Sequence, residues 1–387
     1  MGMKKKYQLF YSKKYQGVFD GLKDCLLEVK SYAKGIGGLV FKLTVFVDIE
    51  NEEVFRQSVV EFSRTISDCF QDEVPSFNIV SQKPFASCPL IIEAGFVIRD
   101  GLLIRYKMIH GFPYVLIEDE TVKELWVSGN GGNCCSTNIE QDSIRAFEQV
   151  VEILHTEGMT IDDIIRQWNY VGEILKVNGS DGRNLQNYQV FNEVRGRFYR
   201  QHRTRKDFPS ATGIGVKTPG VTIDFFAVQL LGDSVATSAV INRKQQNPYV
   251  YGQEVLIGSA PVKKAAKQPP QFERARLLRM PGSATLFLSG TASIIGQETV
   301  GIGDVEEQTR VTIANLEELS RSVEESQKTD AWRYSLLRVY VKNEEDFSLV
   351  ESICKAHFPD IPISFVQADV CRDNLLVEIE GEMGVNN

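Results

Sequence analysis

One pattern occurs twice in this chain, and it limits the possible folds more than any other feature. Residues 125–130 (Leu-Trp-Val-Ser-Gly-Asn) and 286–291 (Leu-Phe-Leu-Ser-Gly-Thr) are both typical of a buried strand that ends in Ser-Gly. Each is followed by a segment with apolar residues at helical spacing and then by another strand pattern. The helical segments are 139–154 and 305–319, and the strands lie around 167–171 and 336–341. Self-similarity over such a long period predicts a chain built from repeated structural units.

The first third of the chain follows the same pattern less closely. Residues 45–47 and 51–55 resemble 339–341 and 343–347, and both regions end in a strand that contains a glutamate. The sequence therefore predicts an α/β (α+β) fold of three tandem units, each a mixed sheet packed by helices. The expected domains are a degenerate unit at 1–120, a second unit with an arginine-rich insertion at 121–235, a connector with a substrate-facing segment at 236–282, and a C-terminal unit at 283–387.

Composition agrees with a globular protein. The chain has 387 residues, of which 43% are hydrophobic and 24% charged, and its net charge is −8. Because it has neither a long apolar run nor a signal peptide, we expect a cytoplasmic protein without membrane contact. Its seven cysteines and four histidines lack metal-ligand spacing, so free thiols are expected and no metal site. The adjacent pair Cys134-Cys135 is poorly suited to a disulfide.

Glu298 is the first candidate catalytic residue. It lies in a turn of small and apolar residues between a strand and the helix that starts near Asp304. If the turn is buried, desolvation raises the pKa of this carboxyl group toward neutrality, as a general acid requires. The alternative is an ordinary solvated loop carboxylate, and the segment by itself favours that alternative.

A basic stretch in the second unit is the second candidate. Six cationic residues fall between positions 195 and 206, beside Tyr199, and they precede a small-residue strand that contains Ala211 and Thr212. Arginine binds carboxylates in a bidentate manner, so Arg195 and Arg197 are candidates for an anion site. A solvated helix end is the competing explanation. Further along, Arg274 or Arg276 precedes the strand with Ser289-Gly290 and could approach Glu298; a structural salt bridge would explain either arginine equally well.

These motifs together resemble a known family. The repeated unit looks like the YjgF/Rid family, small α/β proteins that form trimers with ligand pockets between subunits. The whole chain more closely resembles the chorismatases, over most of residues 120–385. The segments that carry this resemblance are Tyr188…Phe191-Asn192…Arg195, 208–215 (Phe-Pro-Ser-Ala-Thr-Gly-Ile-Gly), 246–249 (Gln-Asn-Pro-Tyr), 272–275 (Phe-Glu-Arg-Ala) and 289–299.

The resemblance implies an enzyme that removes the enolpyruvyl group of chorismate as pyruvate, without a metal or organic cofactor. The second product is a dihydroxycyclohexadiene carboxylate or a hydroxybenzoate, and the sequence does not decide between them. On this hypothesis Glu298 protonates the enol ether, Arg195, Arg197 and Arg274 clamp the two substrate carboxylates, and Tyr199 orients a substrate group. Ala211, Thr212 and Thr291 are further candidate substrate-binding positions.

Two other functions stay open. A Rid-like enamine or imine deaminase, or a small-ligand-binding protein, is the second hypothesis. Rid deaminases use an arginine at a strand position that Ala211 and Ile363 occupy here, which argues against it. A ribonuclease or RNA-binding role rests on the basic stretch and conflicts with the acidic total charge.

The resemblance also implies an arrangement of the units. Three units in one chain can form internally the closed trimer that Rid proteins form from three chains, so we expect a monomer with pseudo-threefold symmetry. The competent pocket should lie where the 195–215 stretch of the second unit meets the Glu298 turn of the third. The other two junctions are expected to be filled or inert.

Overall fold

The computed structural model describes residues 4–85, 87–98, 101–131, 138–178, 184–256, 266–327 and 331–386. These residues form a mixed α+β structure with three main sheets, as the sequence predicts. None of the helices in these ranges is both long and apolar enough to cross a membrane.

The first sheet is built from residues 4–98. Its elements are β1 (Lys4–Tyr11), α1 (Val18–Ile36), β2 (Gly38–Val47), α2 (Glu52–Phe70), β3 (Ser76–Ser81) and β4 (Leu90–Ile98). The strand order is β1-β4-β2-β3, and β2 and β3 are parallel because α2 connects them. Helix α1 buries Leu22, Leu26 and Val29, which helical spacing places on one face. Helix α2 begins after Asn51, whose side chain accepts a hydrogen bond from the Val54 N–H at 3.0 Å.

The second sheet has six strands. Its elements, with a short ribbon formed by β9 and β10, are β5 (Leu103–Ile109), β6 (Phe112–Glu118), β7 (Val122–Asn130), α3 (Ile139–Thr156), β8 (Ile164–Gly172), β9 (Val177–Asn178), β10 (Leu185–Gln186), α4 (Asn187–His202), β11 (Ser210–Val216) and β12 (Val221–Leu230). The strand order is β11-β8-β12-β7-β6-β5.

The third sheet also has six strands. Its elements, with a two-strand hairpin formed by β16 and β17, are β13 (Ala236–Val240), β14 (Ala275–Met280), β15 (Ser283–Ala292), β16 (Ile294–Ile295), β17 (Glu298–Thr299), α5 (Val305–Gln327), β18 (Arg333–Val341), α6 (Phe347–His357), β19 (Ile363–Gln367) and β20 (Val377–Asn386). The strand order is β13-β14-β15-β20-β18-β19.

Each of the three sheets contains a four-stranded core, and the three cores have the same topology. The cores are β1-β4-β2-β3, β7-β12-β8-β11 and β15-β20-β18-β19, and in each the chain runs strand, helix, strand, helix, strand, strand. The two Ser-Gly pairs occupy the same place, near the end of the first core strand of the second and third units. The repeat in the sequence therefore corresponds to a repeat in topology.

Sheet membership differs from the expected domain limits at two places. Strands β5 and β6 pair with β7, so residues 103–118 belong to the second sheet, although the limit at 120 places them in the first unit. Strands β13 and β14 belong to the third sheet, although both fall in the expected connector. We therefore propose that the second unit begins near Leu103 and the third near Ala236.

The units contact one another in a ring. Strand β3 packs against β7, and β11 packs against β15. The segment after β3 joins β19, where the Phe85 N–H donates to the Phe365 carbonyl at 3.1 Å and the Gln367 N–H donates to the Lys83 carbonyl at 2.8 Å. The first unit thus contacts the second, the second the third, and the third the first, which is consistent with the expected pseudo-trimer within one chain.

Three buried carboxylates, here called the axial carboxylates, occupy equivalent positions in this ring. They lie on the last core strand of each unit and pair with Thr44, Trp168 and Arg338 in the same register; they are Glu93, Asp224 and Glu380. Each accepts a hydrogen bond from the neighbouring unit. Asn78 donates to Asp224 at 2.9 Å, Thr212 donates to Glu380, and Ser364 donates to Glu93 at 3.3 Å. The three donors are themselves equivalent, because they pair with the same three residues from the other side.

Buried cations offset these charges. Arg338 donates to Glu93 at 2.7 and 3.2 Å and to Glu380 at 2.7 Å, so it bridges the third and first units. Arg166 of the second unit is ion-paired with Glu380. Lys42 lies 3.7 Å from the centroid of the Trp168 ring, and burial lowers its pKa. Removing one partner from such a group leaves an uncompensated charge in the interior.

Replacing Arg338 by Met should therefore destabilise the protein by about 3–5 kcal/mol, because two axial carboxylates lose their shared partner. Arg310→Met is the matched control, since Arg310 is exposed and, among the described residues, forms an ion pair with Glu306 of the same helix α5. Its loss should change stability by less than about 1 kcal/mol. Urea denaturation followed by circular dichroism measures both. Equal effects of the two substitutions would show that the ion pairs at the axis do not stabilise the ring.

Candidate active site

A cavity of about 680 Å³, including its open mouth, lies between the second and third units. Helix α4 and strand β11 form one wall, and strand β15, the segment before β20 and residues 251–256 and 270–274 form the other. The residues that line it are Gln186, Tyr188, Gln189, Asn192, Ala211, Gly213, Tyr251, Val255, Leu256, Pro270, Phe272, Arg274, Gly290, Ala292, Ile294, Cys371, Arg372, Leu375 and Glu378. This is the junction at which the sequence predicts the competent pocket.

Glu378 is the buried carboxyl group of this cavity. It is only 4% exposed, and the described residues offer its carboxyl group no hydrogen-bond donor. Burial, and then the negative charge of nearby Glu380, raise its pKa from the ordinary value of 4.5 to about 8. At neutral pH Glu378 is therefore a protonated acid that faces a cavity.

A glycine makes room for this carboxyl group. A Cβ atom on Gly290 would lie 2.0 Å from Oε1 of Glu378 and 3.2 Å from Cγ2 of Thr212. The Gly290 N–H donates to Thr212 Oγ1 at 3.0 Å, which holds the end of β15 against β11 of the second unit. The repeated Ser-Gly pair thus serves the close approach of two units at the site.

Two arginines supply positive charge to the cavity. Arg274 is buried, and its guanidinium donates to the Gln246 carbonyl at 2.7 and 3.2 Å and to the Tyr251 hydroxyl. Arg372 is half-buried and donates to the Gln297 carbonyl at 2.8 Å. Both guanidinium groups lie beside the Tyr251 ring, at 5.7 and 5.3 Å from its centroid. Because each keeps further N–H groups, the pair can bind an anionic ligand.

Cys371 also lines the cavity, seven residues before Glu378. Burial raises the pKa of its thiol to about 12, so it is a neutral thiol rather than a thiolate. It is one of five free cysteines among the described residues, as the composition suggests; Cys134 and Cys135 lie outside them.

The burial on which the acid role of Glu298 depends is not found, and the alternative of a solvated loop carboxylate describes its position. Its side chain is exposed, and it lies in the short β16–β17 hairpin opposite Ile295. The neighbouring small residues form this hairpin at the surface instead of enclosing the carboxyl group. Glu298 is not among the residues that line the cavity.

The other predicted positions fall into three groups. Ala211 and Arg274 line the cavity, and Thr212 lies directly behind Gly290. Arg195 is buried and donates to Asn192, which lines the cavity, so it supports the wall instead of forming it. The remaining three, Arg197, Tyr199 and Thr291, contact other parts of the chain: Arg197 is ion-paired with Glu140 at 2.9 Å, the Tyr199 hydroxyl donates to Gln167 at 3.1 Å, and the Thr291 hydroxyl donates to the Ser289 carbonyl at 2.9 Å.

The basic stretch is mostly paired within the chain. Arg203 donates to the carbonyls of Asp207 and Ile161, and Arg205 binds the Asp207 carboxylate with two contacts of 2.9 Å. Asp207 also pairs with Arg276, which the sequence offered as the alternative to Arg274. Arg276 is buried and therefore takes part in a structural ion pair. These contacts leave little of the stretch for a nucleic acid.

The sequence interpretation missed Glu378, Arg372 and Cys371 as site residues. A signal for Glu378 is present: three glutamates alternate with apolar residues in the last strand, at positions 378, 380 and 382. In a strand this alternation places all three carboxyl groups on one face. A charged face on a strand that belongs to a repeated core indicates either an interface or a site.

Comparisons with known proteins agree with these observations. Residues 118–227 match the family described as chorismatase FkbO/Hyg5-like, N-terminal. The 3-hydroxybenzoate synthase of Streptomyces hygroscopicus is 31% identical over 251 residues, or 61% of this chain and 67% of that protein. A chorismatase of Streptomyces rapamycinicus is 33% identical over 246 residues, with shares of 61% and 67%. A chorismatase crystal structure with 21% identity covers 98% of this chain and 99% of its own, with a TM-score of 0.68, and has the same fold.

The fold and the cavity define an α+β protein of repeated units with a buried proton donor and two arginines at a unit junction. Such a site suits acid catalysis on an anionic ligand. With the sequence relatives, the assignment becomes specific: this chain belongs to the chorismatase family.

Glu378→Gln should change how stability depends on pH. A carboxyl group whose pKa is raised on folding holds its proton more tightly in the folded state, so its contribution to stability is complete below pH 4.5 and is lost as the pH rises toward 8. Glutamine does not ionise, so the variant should become more stable than the wild type over this window, by about 1.4 kcal/mol for each pH unit.

Thermal unfolding of both proteins at a series of pH values measures this difference. Asp224, whose pKa burial raises to about 6, contributes a similar slope to both proteins, and the comparison therefore cancels it. A constant difference between the two proteins from pH 5 to pH 8 would contradict the raised pKa of Glu378.

Proposed function

We propose that this protein cleaves chorismate and releases its enolpyruvyl group as pyruvate, with Glu378 as the general acid. The observation that carries the proposal is the protonated, unpaired carboxyl group of Glu378 in a cavity that also contains Arg274 and Arg372. Membership of the chorismatase family supports the substrate.

The lining of the cavity suits this substrate. Chorismate carries two carboxylates on a compact, partly apolar ring. Arg274 and Arg372 can each bind a carboxylate, and Phe272, Ile294 and Leu375 offer apolar surface to the ring. Of the positions predicted from the sequence, we retain Arg274 and Ala211 as substrate contacts and Thr212 and Arg195 as supports of the wall.

The chemistry begins with proton transfer. Glu378 donates its proton to the methylene carbon of the enol ether, and the electron pair of the double bond forms the new C–H bond. The oxocarbenium ion that results is stabilised by the Glu378 carboxylate. Water then adds to the cation and returns a proton to Glu378. The hemiketal hydroxyl loses its proton as the bond between the hemiketal carbon and the ring oxygen breaks, and the ring oxygen takes up a proton to become a hydroxyl group. This route releases pyruvate and a dihydroxycyclohexadiene carboxylate.

A second outcome needs no net water. If the ring eliminates pyruvate and rearomatises, the products are pyruvate and a hydroxybenzoate, and the atoms of chorismate are all accounted for. One sequence relative is named a 3-hydroxybenzoate synthase, which corresponds to this second outcome, whereas the name chorismatase of the other does not specify a product. We leave the choice between the products to chromatography of the reaction mixture.

A Rid-like deaminase is not favoured by any contact in the described residues. The strand registers put Ala211 and Ile363 at equivalent positions, one residue before Thr212 and Ser364, in agreement with the alignment made from the sequence. Neither can replace an arginine.

The five described free thiols, together with units that close a ring within one chain, support the further proposal of a cytoplasmic monomer.

Glu378→Gln should lower the rate of pyruvate release by about 10²–10⁴-fold, because glutamine keeps the volume and has no proton to transfer. A lactate dehydrogenase-coupled assay with chorismate measures the rate, in the presence of a chelator. Glu298→Gln is the matched comparison, since it changes an exposed carboxyl group outside the cavity, and it should keep most of the activity. A large loss in Glu298→Gln with little loss in Glu378→Gln would return the acid role to Glu298.

Arg274→Ala should weaken chorismate binding by about 10–150-fold, because a charge-assisted hydrogen bond is worth roughly 1.5–3 kcal/mol. The same substitution at Arg197, which is half-exposed and paired with Glu140, should have little effect on binding. Equilibrium binding of chorismate to the inactive Glu378→Gln background measures both without turnover. Equal affinities in the two variants would remove Arg274 from the substrate site.

A further inference from the structure

We propose that Glu380 is a positioning residue: an ionised carboxylate whose negative charge adds to the effect of burial and favours the protonated form of the acid Glu378 between turnovers. The inference deepens the proposed function and rests on it, since it assigns a role toward the proposed acid. It concerns an axial carboxylate that does not line the cavity and does not touch the ligand space.

The ionised state of Glu380 follows from its hydrogen bonds. Its Oε1 accepts from Arg338 at 2.7 Å, from the Tyr340 hydroxyl at 3.0 Å and from the Trp168 indole N–H at 3.1 Å. Its Oε2 accepts from Arg166 and from the Thr212 hydroxyl. All five partners donate, so a proton on Glu380 would displace one of them. Burial by itself would raise the pKa of Glu380, but Arg338 and Arg166 outweigh it and lower the pKa.

The Thr212 hydroxyl fixes the direction of one of these bonds. It accepts from Arg166 at 2.7 Å and from the Gly290 N–H at 3.0 Å, so its own proton points to Glu380. Since Gly290 also lies against the Glu378 carboxyl group, one hydroxyl links the charged residue to the wall of the acid's pocket. Glu380 is therefore held at a constant position relative to Glu378.

Glu378 lies two residues earlier on the same strand, and the described residues offer its carboxyl group no hydrogen-bond donor. Alternation places both side chains on one face of β20, about 6.5–7 Å apart along the strand. The other charged or titratable groups near Glu378 come from several elements: Arg166 on β8, Tyr188 on α4, Arg274 before β14, and Cys371 before β20. Tyr188 and Cys371 are neutral at pH 7, because burial raises the pKa of the Tyr188 hydroxyl well above its ordinary value and the pKa of the Cys371 thiol to about 12.

Glu380 is thus the negative charge that opposes ionisation of Glu378, whereas Arg166 and Arg274 favour it. After Glu378 has given up its proton, its carboxylate lies near this fixed charge in a poorly screened interior. The repulsion favours recovery of a proton from the attacking water.

The test is a direct titration of Glu378 by infrared difference spectroscopy, which needs no chorismate. The protonated carboxyl band is assigned by its absence in Glu378→Gln, because Asp224 also titrates near neutral pH. In Glu380→Gln the band should disappear at a pH about one to two units lower than in the wild type, as expected for a lost charge at this distance. An unchanged titration would overturn the proposal.

Asp224→Asn is the matched control. Asp224 is the equivalent axial carboxylate of the second unit and is equally buried, but its neighbour at the position of Glu378 is Thr222. This substitution should leave the titration of Glu378 in place. A shift as large as that of Glu380→Gln would show a general effect of disturbing the axis and would also overturn the proposal.

If Glu380→Gln does not fold, Arg166→Met and the double variant Arg166→Met/Glu380→Gln provide a second test, because this pair removes Glu380 together with one of its cations. The direct effect of Arg166 on Glu378 is absent from both proteins, so Glu378 should titrate about one to two pH units lower in the double variant than in Arg166→Met. Equal titrations in the two would contradict the proposal. The pH dependence of pyruvate release is measured separately from the titration. If the wild type releases no pyruvate from chorismate, the proposed function fails while the titrations still decide the role of Glu380. If it does, the alkaline limb of kcat/KM should follow the titration in each variant.

Discussion

The arrangement of the three units depends on one interaction that occurs three times: a polar side chain of one unit donates to a buried carboxylate of the next. Asn78, Thr212 and Ser364 are the donors, and the axial carboxylates are the acceptors. A buried carboxylate is tolerated only where donors and cations surround it, so a unit rotated or shifted against its neighbour would leave charges unpaired. Apolar contacts between the sheets stabilise the ring without specifying its register, because they are less directional. The polar contacts at the axis therefore fix how the units face one another.

The same repeat explains why one junction carries the acid. The position of Glu378, two residues before the axial carboxylate, is occupied by Thr222 in the second unit and by Ile91 in the first. Strand alternation puts each of the three side chains on the same face as the axial carboxylate of its unit, yet only the glutamate has a carboxyl group that can give up a proton near neutral pH. Thr222 lines a smaller pocket between the first and second units. All three units thus contain an axial carboxylate, and the third unit adds an acid, Glu378, two residues before its own.

Local patterns in the sequence predicted the units better than the site. The two Ser-Gly strands, the helices after them and the register of Ala211 with Ile363 all follow from short-range periodicity, and each agrees with the structure. Whether the Glu298 turn is buried stayed open in the sequence because small neighbours do not determine burial: the chain forms a hairpin there in which Glu298 is exposed. Glu378 could have been noticed in the alternating glutamates of the last strand. Its place in a cavity, however, depends on α4 and β11 of another unit, which no local pattern reveals.

The repeated Ser-Gly pair, which indicates the fold most clearly in the sequence, lies at junctions between units in the structure. A Cβ atom on Gly129 would lie 2.7 Å from the Phe77 carbonyl oxygen of the first unit, just as one on Gly290 would collide with Glu378 and approach Thr212 of the second. The Gly290 N–H donates across the junction to Thr212 of the second unit, whereas the Gly129 N–H donates within the second unit to Asp224, which also accepts from Asn78 of the first. Glycine is required because another part of the structure occupies the space of a side chain. The repeated Ser-Gly pair therefore indicates where two units contact each other, but it does not indicate which junction contains the acid. The acid is a single side chain, Glu378, on the last strand of the third unit.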